Sequence, residues 1–170
     1  MPQDPRDVIW NETYYLHYKT YYAEISEERL DARWSTFDHV ARIMIAFTSG
    51  GSAIAGLALW KDPRFYWIWV TLSMISAVFA LLSKQFSVGE KLRDHSSSCN
   101  AFSSLRMDLE NFMMKMRINP TFPVDAFEER VILLKKRYSE ELGRIKHDIF
   151  LTENLRNTCQ DELESHVRSI

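Results

Sequence analysis

Cysteine, glycine and proline are all scarce in this sequence, at two, five and five of 170 residues. Cys99 and Cys159 stand far apart with no short Cys or His spacing around them, so neither a disulfide framework nor a zinc site is indicated. No Gly-rich loop runs into Lys and Ser or Thr, and no dinucleotide fingerprint occurs, which removes the common phosphate-cradling motifs. An excess of one charge is also missing: Lys+Arg number 21 and Asp+Glu 23. No block is basic enough to make nucleic acid a main partner. The first 25 residues, MPQDPRDVIWNETYYLHYKTYYAEI, hold acids and aromatics where a basic n-region and an apolar h-region would stand, so no cleavable signal peptide is expected.

What is present is a pair of long uncharged runs. Ile43 to Trp60 and Phe65 to Ser83 are 18 and 19 residues without an ionised side chain, separated by Lys61, Asp62, Pro63 and Arg64. As helices they reach roughly 27 and 28 Å, close to the ~30 Å hydrocarbon core of a bilayer. The short connection makes them antiparallel neighbours, and Asp62-Pro63 is a natural break because proline disfavours helical geometry in the residue before it. Trp60, Phe65, Tyr66, Trp67 and Trp69 gather at this end, as an interfacial belt does. A buried hairpin in a soluble bundle also reads as continuously apolar, but two consecutive uncharged runs of this length favour the membrane. Arg29, Arg33, Arg42, Lys84, Lys91 and Arg93 lie near the outer ends of the runs, against Lys61 and Arg64 in the turn, so both termini are expected in the cytoplasm.

Small residues crowd the first run. Gly51, Ser52 and Gly56 are assigned to close helix packing, with Ser52 and Gly56, and Gly51 and Ala55, four apart. Hydroxyls recur on both runs, and Thr48, Ser49, Ser73 and Ser76 are the candidates for lining a pore once several copies assemble, since two spans alone enclose none. Helix packing is the alternative use of the same residues. Neither run holds a charge that marks a proton relay or voltage sensor, so such a pore is weakly selective.

Outside the runs the pattern is helical. Asp4-Pro5 followed by Asp7 is a helix start, with Asp4 as N-cap and Pro5 in the first helical position. Trp10, Tyr14, Tyr18, Tyr21 and Ile25 form a stripe at three- and four-residue steps, continued after a slip by Leu30, Trp34, Phe37 and Ala41, and no Pro or Gly interrupts before Gly50. One long helix into the membrane is expected. The aromatic stripe suits packing against other helices, with a base-stacking platform as the rival use and Lys19, Arg29, Arg33 and Arg42 as cations near it. Leu92, Cys99, Phe102, Leu105, Leu109, Phe112 and Met116 carry the second run onward as a helix to about Ile118, where Asn119-Pro120 stops it. Phe127, Val131, Leu134, Tyr138, Leu142, Ile145 and Ile149 keep a heptad, followed by Leu155, Cys159, Leu163 and Val167, and such stems invite self-association.

Catalytic groupings are weak. In Asp94-His95-Ser96, consecutive helical residues point about 100° apart and form no relay. A solvated juxtamembrane patch is the expectation there, and His147-Asp148 is an equally weak grouping. No enzyme, cofactor or metal is expected.

The aromatic and charged YKTYYAEISEERLDARW, the two runs joined by KDPR and the tail broken at INPTFPVD together resemble the SLATT domains, the SMODS and SLOG-associating two-transmembrane effectors of prokaryotic conflict systems. The resemblance implies a bacterial cytoplasmic membrane, homo-oligomers, and a nucleotide second-messenger synthase or sensor as partner, with anti-phage membrane disruption ending in cell death or growth arrest. Whether a signal reaches the helical tail directly or through a second protein stays open. The expected fold is an all-α membrane protein forming one module over 1–170: a long N-terminal helix (1–42), an antiparallel transmembrane hairpin (43–60 and 65–83, turn 61–64), and a cytoplasmic helical stem (84–170) broken at 119–125. The alternative to a pore is a non-conducting two-span scaffold or sensor that recruits cytoplasmic partners.

Overall fold

The N-terminal cap forms as its residues dictate. Asp4 Oδ1 accepts the Arg6 N–H at 2.9 Å, and the Asp4 carbonyl accepts the N–H groups of Asp7 and Val8. Pro5, which has no N–H to satisfy, opens the helix. In this computed structural model the backbone of residues 4–58, 63–145 and 148–168 is described, and within those the side chains of 47–58, 63–66, 68–69 and 167–168 are not. The described chain is all-helical, 88% helix in five helices: α1 (Pro5–Ala58), α2 (Pro63–Gln85), α3 (Val88–Ile118), α4 (Val124–Leu142) and α5 (Glu153–Arg168). It divides into two units, the first made of Met1–Leu30 with Asp94–Ile170 and the second of Asp31–Arg93.

In the first unit α1 and α3 run antiparallel: residue numbers rise on one as they fall on the other through the pairs His17–Glu110, Glu24–Arg106 and Glu27–His95. Ile9 and Leu16 of α1 pack with Leu105, Leu109, Phe112 and Met116 of α3 and with Val131 and Leu134 of α4. Further along α1, Ile25 and Leu30 pack with Leu155, Cys159 and Leu163 of α5. The heptad positions Phe127, Val131, Leu134 and Tyr138 therefore contribute to this unit's own core instead of standing free for another copy.

The buried face of α1 includes Ile25, Leu30, Trp34 and Ala41 as expected, but not the aromatic residues from Trp10 to Tyr21. Ile9, Thr13, Leu16, Thr20, Ala23, Glu27 and Leu30 face inward, whereas Tyr14 is exposed and Trp10, Tyr18 and Tyr21 are half-buried at the margin. The threonines mask the stripe in the sequence but fit it in the fold, because each hydroxyl donates to the carbonyl four residues back, Thr13 to Ile9 at 2.7 Å and Thr20 to Leu16 at 2.8 Å. Satisfied in that way, a threonine presents its methyl to the core.

Two other boundaries differ from expectation. The helix after the second run does not continue unbroken to Ile118: α2 ends at Gln85 and α3 begins at Val88, with Ser87 in the left-handed region (φ 46°) between them. The Phe86 N–H still bonds the Leu82 carbonyl, and the Ser87 carbonyl accepts from Glu90 and Lys91 to start the next helix. The heptad also does not continue through Ile149 as helix. α4 stops at Leu142 ahead of Gly143, a poor helix former, leaving Ile149 exposed. Thr152 then caps α5, its hydroxyl accepting the Leu155 N–H. The stop at Ile118 is as expected, and the following Phe122 is buried, stacked on Phe127 with ring centroids 4.4 Å apart.

In the second unit α1 and α2 are also antiparallel, as the contacts Trp34–Phe86, Phe37–Phe79 and Met44–Ser76 require. Among the described residues no single helix is long and apolar enough to cross a membrane, and one pair, Val70–Gln85 with Val88–Ile118, bent by 50°, meets those measures together.

Candidate functional sites: an outward apolar face and a buried histidine

Between Val70 and Leu82, α2 is built inside out. Ser76 is the only buried residue in that stretch, while Val70, Met74, Ile75, Val78, Leu81 and Leu82 are exposed. Trp67, Met74 and Leu81 are 71%, 70% and 69% exposed. Val40, Ile43 and Ile45 of α1 are exposed in the same unit. A large apolar side chain left fully in water forfeits about 1.5–3 kcal/mol relative to burial, so the six on α2, which are 36–70% exposed, together forfeit roughly 5–9 kcal/mol, a large share of the stability of a typical domain. Lipid or another apolar surface recovers it.

Two hydroxyls of this helix bond to backbone carbonyls. Thr71 Oγ1 donates to the Trp67 carbonyl at 2.8 Å, and Ser76 Oγ donates across to the Met44 carbonyl at 3.1 Å. Apolar surroundings demand that of a polar group. Of the residues singled out in the sequence, Ser76 thus lies in the contact between α1 and α2, and Ser73 lies on the exposed side of α2. The side chains of Thr48, Ser49, Gly51, Ser52 and Gly56 lie outside the described residues, as do 61 and 62 of the expected turn 61–64, whose Pro63 and Arg64 already belong to α2.

The first unit holds a second feature, and it corrects the reading of a solvated patch. His95 is buried, its Nδ1 2.7 Å from Glu27 Oε2 and its Nε2 3.2 Å from Asp148 Oδ2. The carboxylate side chains are 4% and 1% exposed. Asp148 is held in turn by the Phe150 N–H on Oδ1. Burial disfavours the imidazolium, but the hydrogen bonds to Glu27 and Asp148 outweigh it and hold His95 above its ordinary pKa. With a buried carboxylate on each ring nitrogen, His95 has no free edge to offer for general-base work, and the site is closed to a substrate. The arrangement ties α1, α3 and the segment before α5 together.

A signal for this cluster was present in the sequence. His95 precedes Phe102, Leu109 and Met116 at seven-residue steps, whereas the inward stripe that holds Glu27 shows only in the fold. A charged residue in register with a core face is a buried partner in search of its counter-ion. Asp148 carried no such mark, since it lies in a loop. Of the cations placed near the aromatic stripe, Arg29 pairs with Glu162 and Arg42 with Asp38, both at 2.7 Å, while Lys19 lies over the Tyr15 ring.

No family model, curated protein or solved structure matches this chain.

Proposed function

We propose that this chain is a two-span membrane effector: the C-terminal part of α1 and all of α2 form an antiparallel transmembrane hairpin in the cytoplasmic membrane, both termini lie in the cytoplasm, and copies assemble into a pore. The observation that carries the reading is the outward apolar face of α2, along which the Thr71 and Ser76 hydroxyls bond to backbone carbonyls. The uncharged run from Ile43 to Trp60 supplies the first span, the partner of α2. Close packing between copies falls to Gly51, Ser52 and Gly56. Lining falls to Thr48, Ser49 and Ser73, with Ser76 joining them if its bond to Met44 opens on assembly. The resemblance to SLATT domains supplies the setting, an anti-phage response triggered through a nucleotide synthase or sensor and ending in cell death or growth arrest.

The test is membrane potential in bacterial cells expressing the chain, followed with a voltage-sensitive dye, wild type beside Gly51→Leu. Collapse by wild type and none by the variant, at equal membrane content, is the expected result. A protein that inserts but never depolarises, with or without its trigger system, leaves the scaffold reading in its place.

A further inference from the structure

A groove of about 510 Å³ opens in the first unit between α1, α3 and α5. Its α1 wall is Tyr14, Tyr18 and Tyr21, one helical face at steps of four and three, and its α3 wall includes Met113, Met114 and Arg117. The volume is within the about 300–1,000 Å³ usual for small-ligand sites. Rings and thioethers on facing walls accept a flat aromatic ligand, through stacking and sulfur contacts.

The charges in the groove are unequal in what they have left to offer. Arg106 is held by Glu24 and Glu110, each at 2.6 Å, and Glu110 also meets His17 at 3.3 Å. Arg106 is thereby committed to two carboxylates. Arg117 differs: among the described residues it pairs with no carboxylate, and its guanidinium lies over the Trp10 ring, 5.5 Å from the centroid. A guanidinium laid on an aromatic face keeps its edge N–H donors for an anion. His166, its ring 4.9 Å from that of Tyr21, lines the same groove.

We propose that this groove binds a small molecule of mononucleotide size, in which a planar aromatic ring lies among Tyr14, Tyr18 and Tyr21 and an attached phosphate meets Arg117. The site is separate from the apolar face of α2 and stands whether or not the hairpin conducts.

Isothermal titration of the purified full chain in detergent tests it, with the four nucleoside monophosphates, adenosine and inorganic phosphate as probes. At least one monophosphate binds, and adenosine and inorganic phosphate each bind at least about 10-fold more weakly, because each keeps only half of the recognition. Arg117→Gln weakens the monophosphate at least about 10-fold without altering adenosine. Tyr14→Ala weakens both. Both positions are exposed, so unchanged thermal melts show that the variants fold. No heat from any monophosphate up to about 1 mM, equal binding of inorganic phosphate alone, or a monophosphate affinity indifferent to Arg117→Gln overturns the proposal.

Discussion

Phe102, Leu105 and Leu109 in the first unit are fully buried, while Met74 and Leu81 in the second, side chains of similar size, are about 70% exposed. Polar groups show the reverse. The first unit exposes most of its charge and buries only what is paired, as in Glu27, His95 and Asp148. In the second, the described stretch of α2 from Val70 to Leu82 carries no charge, turns apolar groups outward and turns the Ser76 hydroxyl inward. On the proposed function, the first unit is organised for water around it and the α2 face of the second for an apolar medium. The same helix, α1, serves both: its first part buries a stripe reaching from Ile9 to Leu30, and its later part leaves Val40, Ile43 and Ile45 exposed.

The largest expected break of this contrast is His95→Ala. It leaves two carboxylates buried without their shared partner and costs the first unit about 3–5 kcal/mol, read as a lower midpoint in denaturant. An unchanged midpoint means that the cluster is hydrated and the unit less closed than its burial indicates. Next, Leu81→Arg places a charge on the outward face of α2. It leaves the first unit's melting unaltered and reduces membrane insertion by about 3 kcal/mol, measured as the fraction of protein resisting carbonate extraction. Equal extraction of variant and wild type removes lipid as the medium of that face.

A subtler separation comes from pH. The His95 pKa in the fold is raised above its unfolded value, so its contribution to stability is fully present below about pH 6.5 and is lost as pH rises through the folded value. The first unit's denaturation midpoint accordingly falls on the alkaline side, and His95→Asn flattens the profile there. A profile identical in wild type and variant contradicts the doubly bonded imidazolium. Smallest of all is Thr20→Val, which removes a hydroxyl bonded only to its own helix and changes stability by less than about 1 kcal/mol.

Where the sequence was readable, local rules governed. Asp4-Pro5 capped a helix, Asn119-Pro120 ended one, and the α3 stripe from Phe102 to Met116 was buried as its period required. Where it was not, tertiary structure governed. Trp10, Tyr14, Tyr18 and Tyr21 have the stronger periodic signal on α1, but the inward face includes Thr13 and Thr20, whose backbone-bonded hydroxyls no hydropathy pattern reveals. Ser87 interrupts a run that periodicity alone would carry to Ile118. His95 finds one partner 68 residues before it and another 53 after it, a pairing that only the antiparallel course of α1 and α3 and the loop ahead of α5 creates. The outward direction of Met74 and Leu81 belongs to the same class, since an uncharged run shows that a helix avoids water and not which of its sides does so.

The most direct test of the two-medium account is collision accessibility of nitroxides placed one at a time at 74, 81 and 107 in the Cys99→Ser, Cys159→Ala background, with the protein in lipid bilayers. Met107 is an exposed apolar residue of the first unit and supplies the control. The account predicts that labels at 74 and 81 collide with oxygen in preference to a water-soluble nickel chelate and that the label at 107 does the opposite. Chelate access at 74 and 81 equal to that at 107 contradicts it.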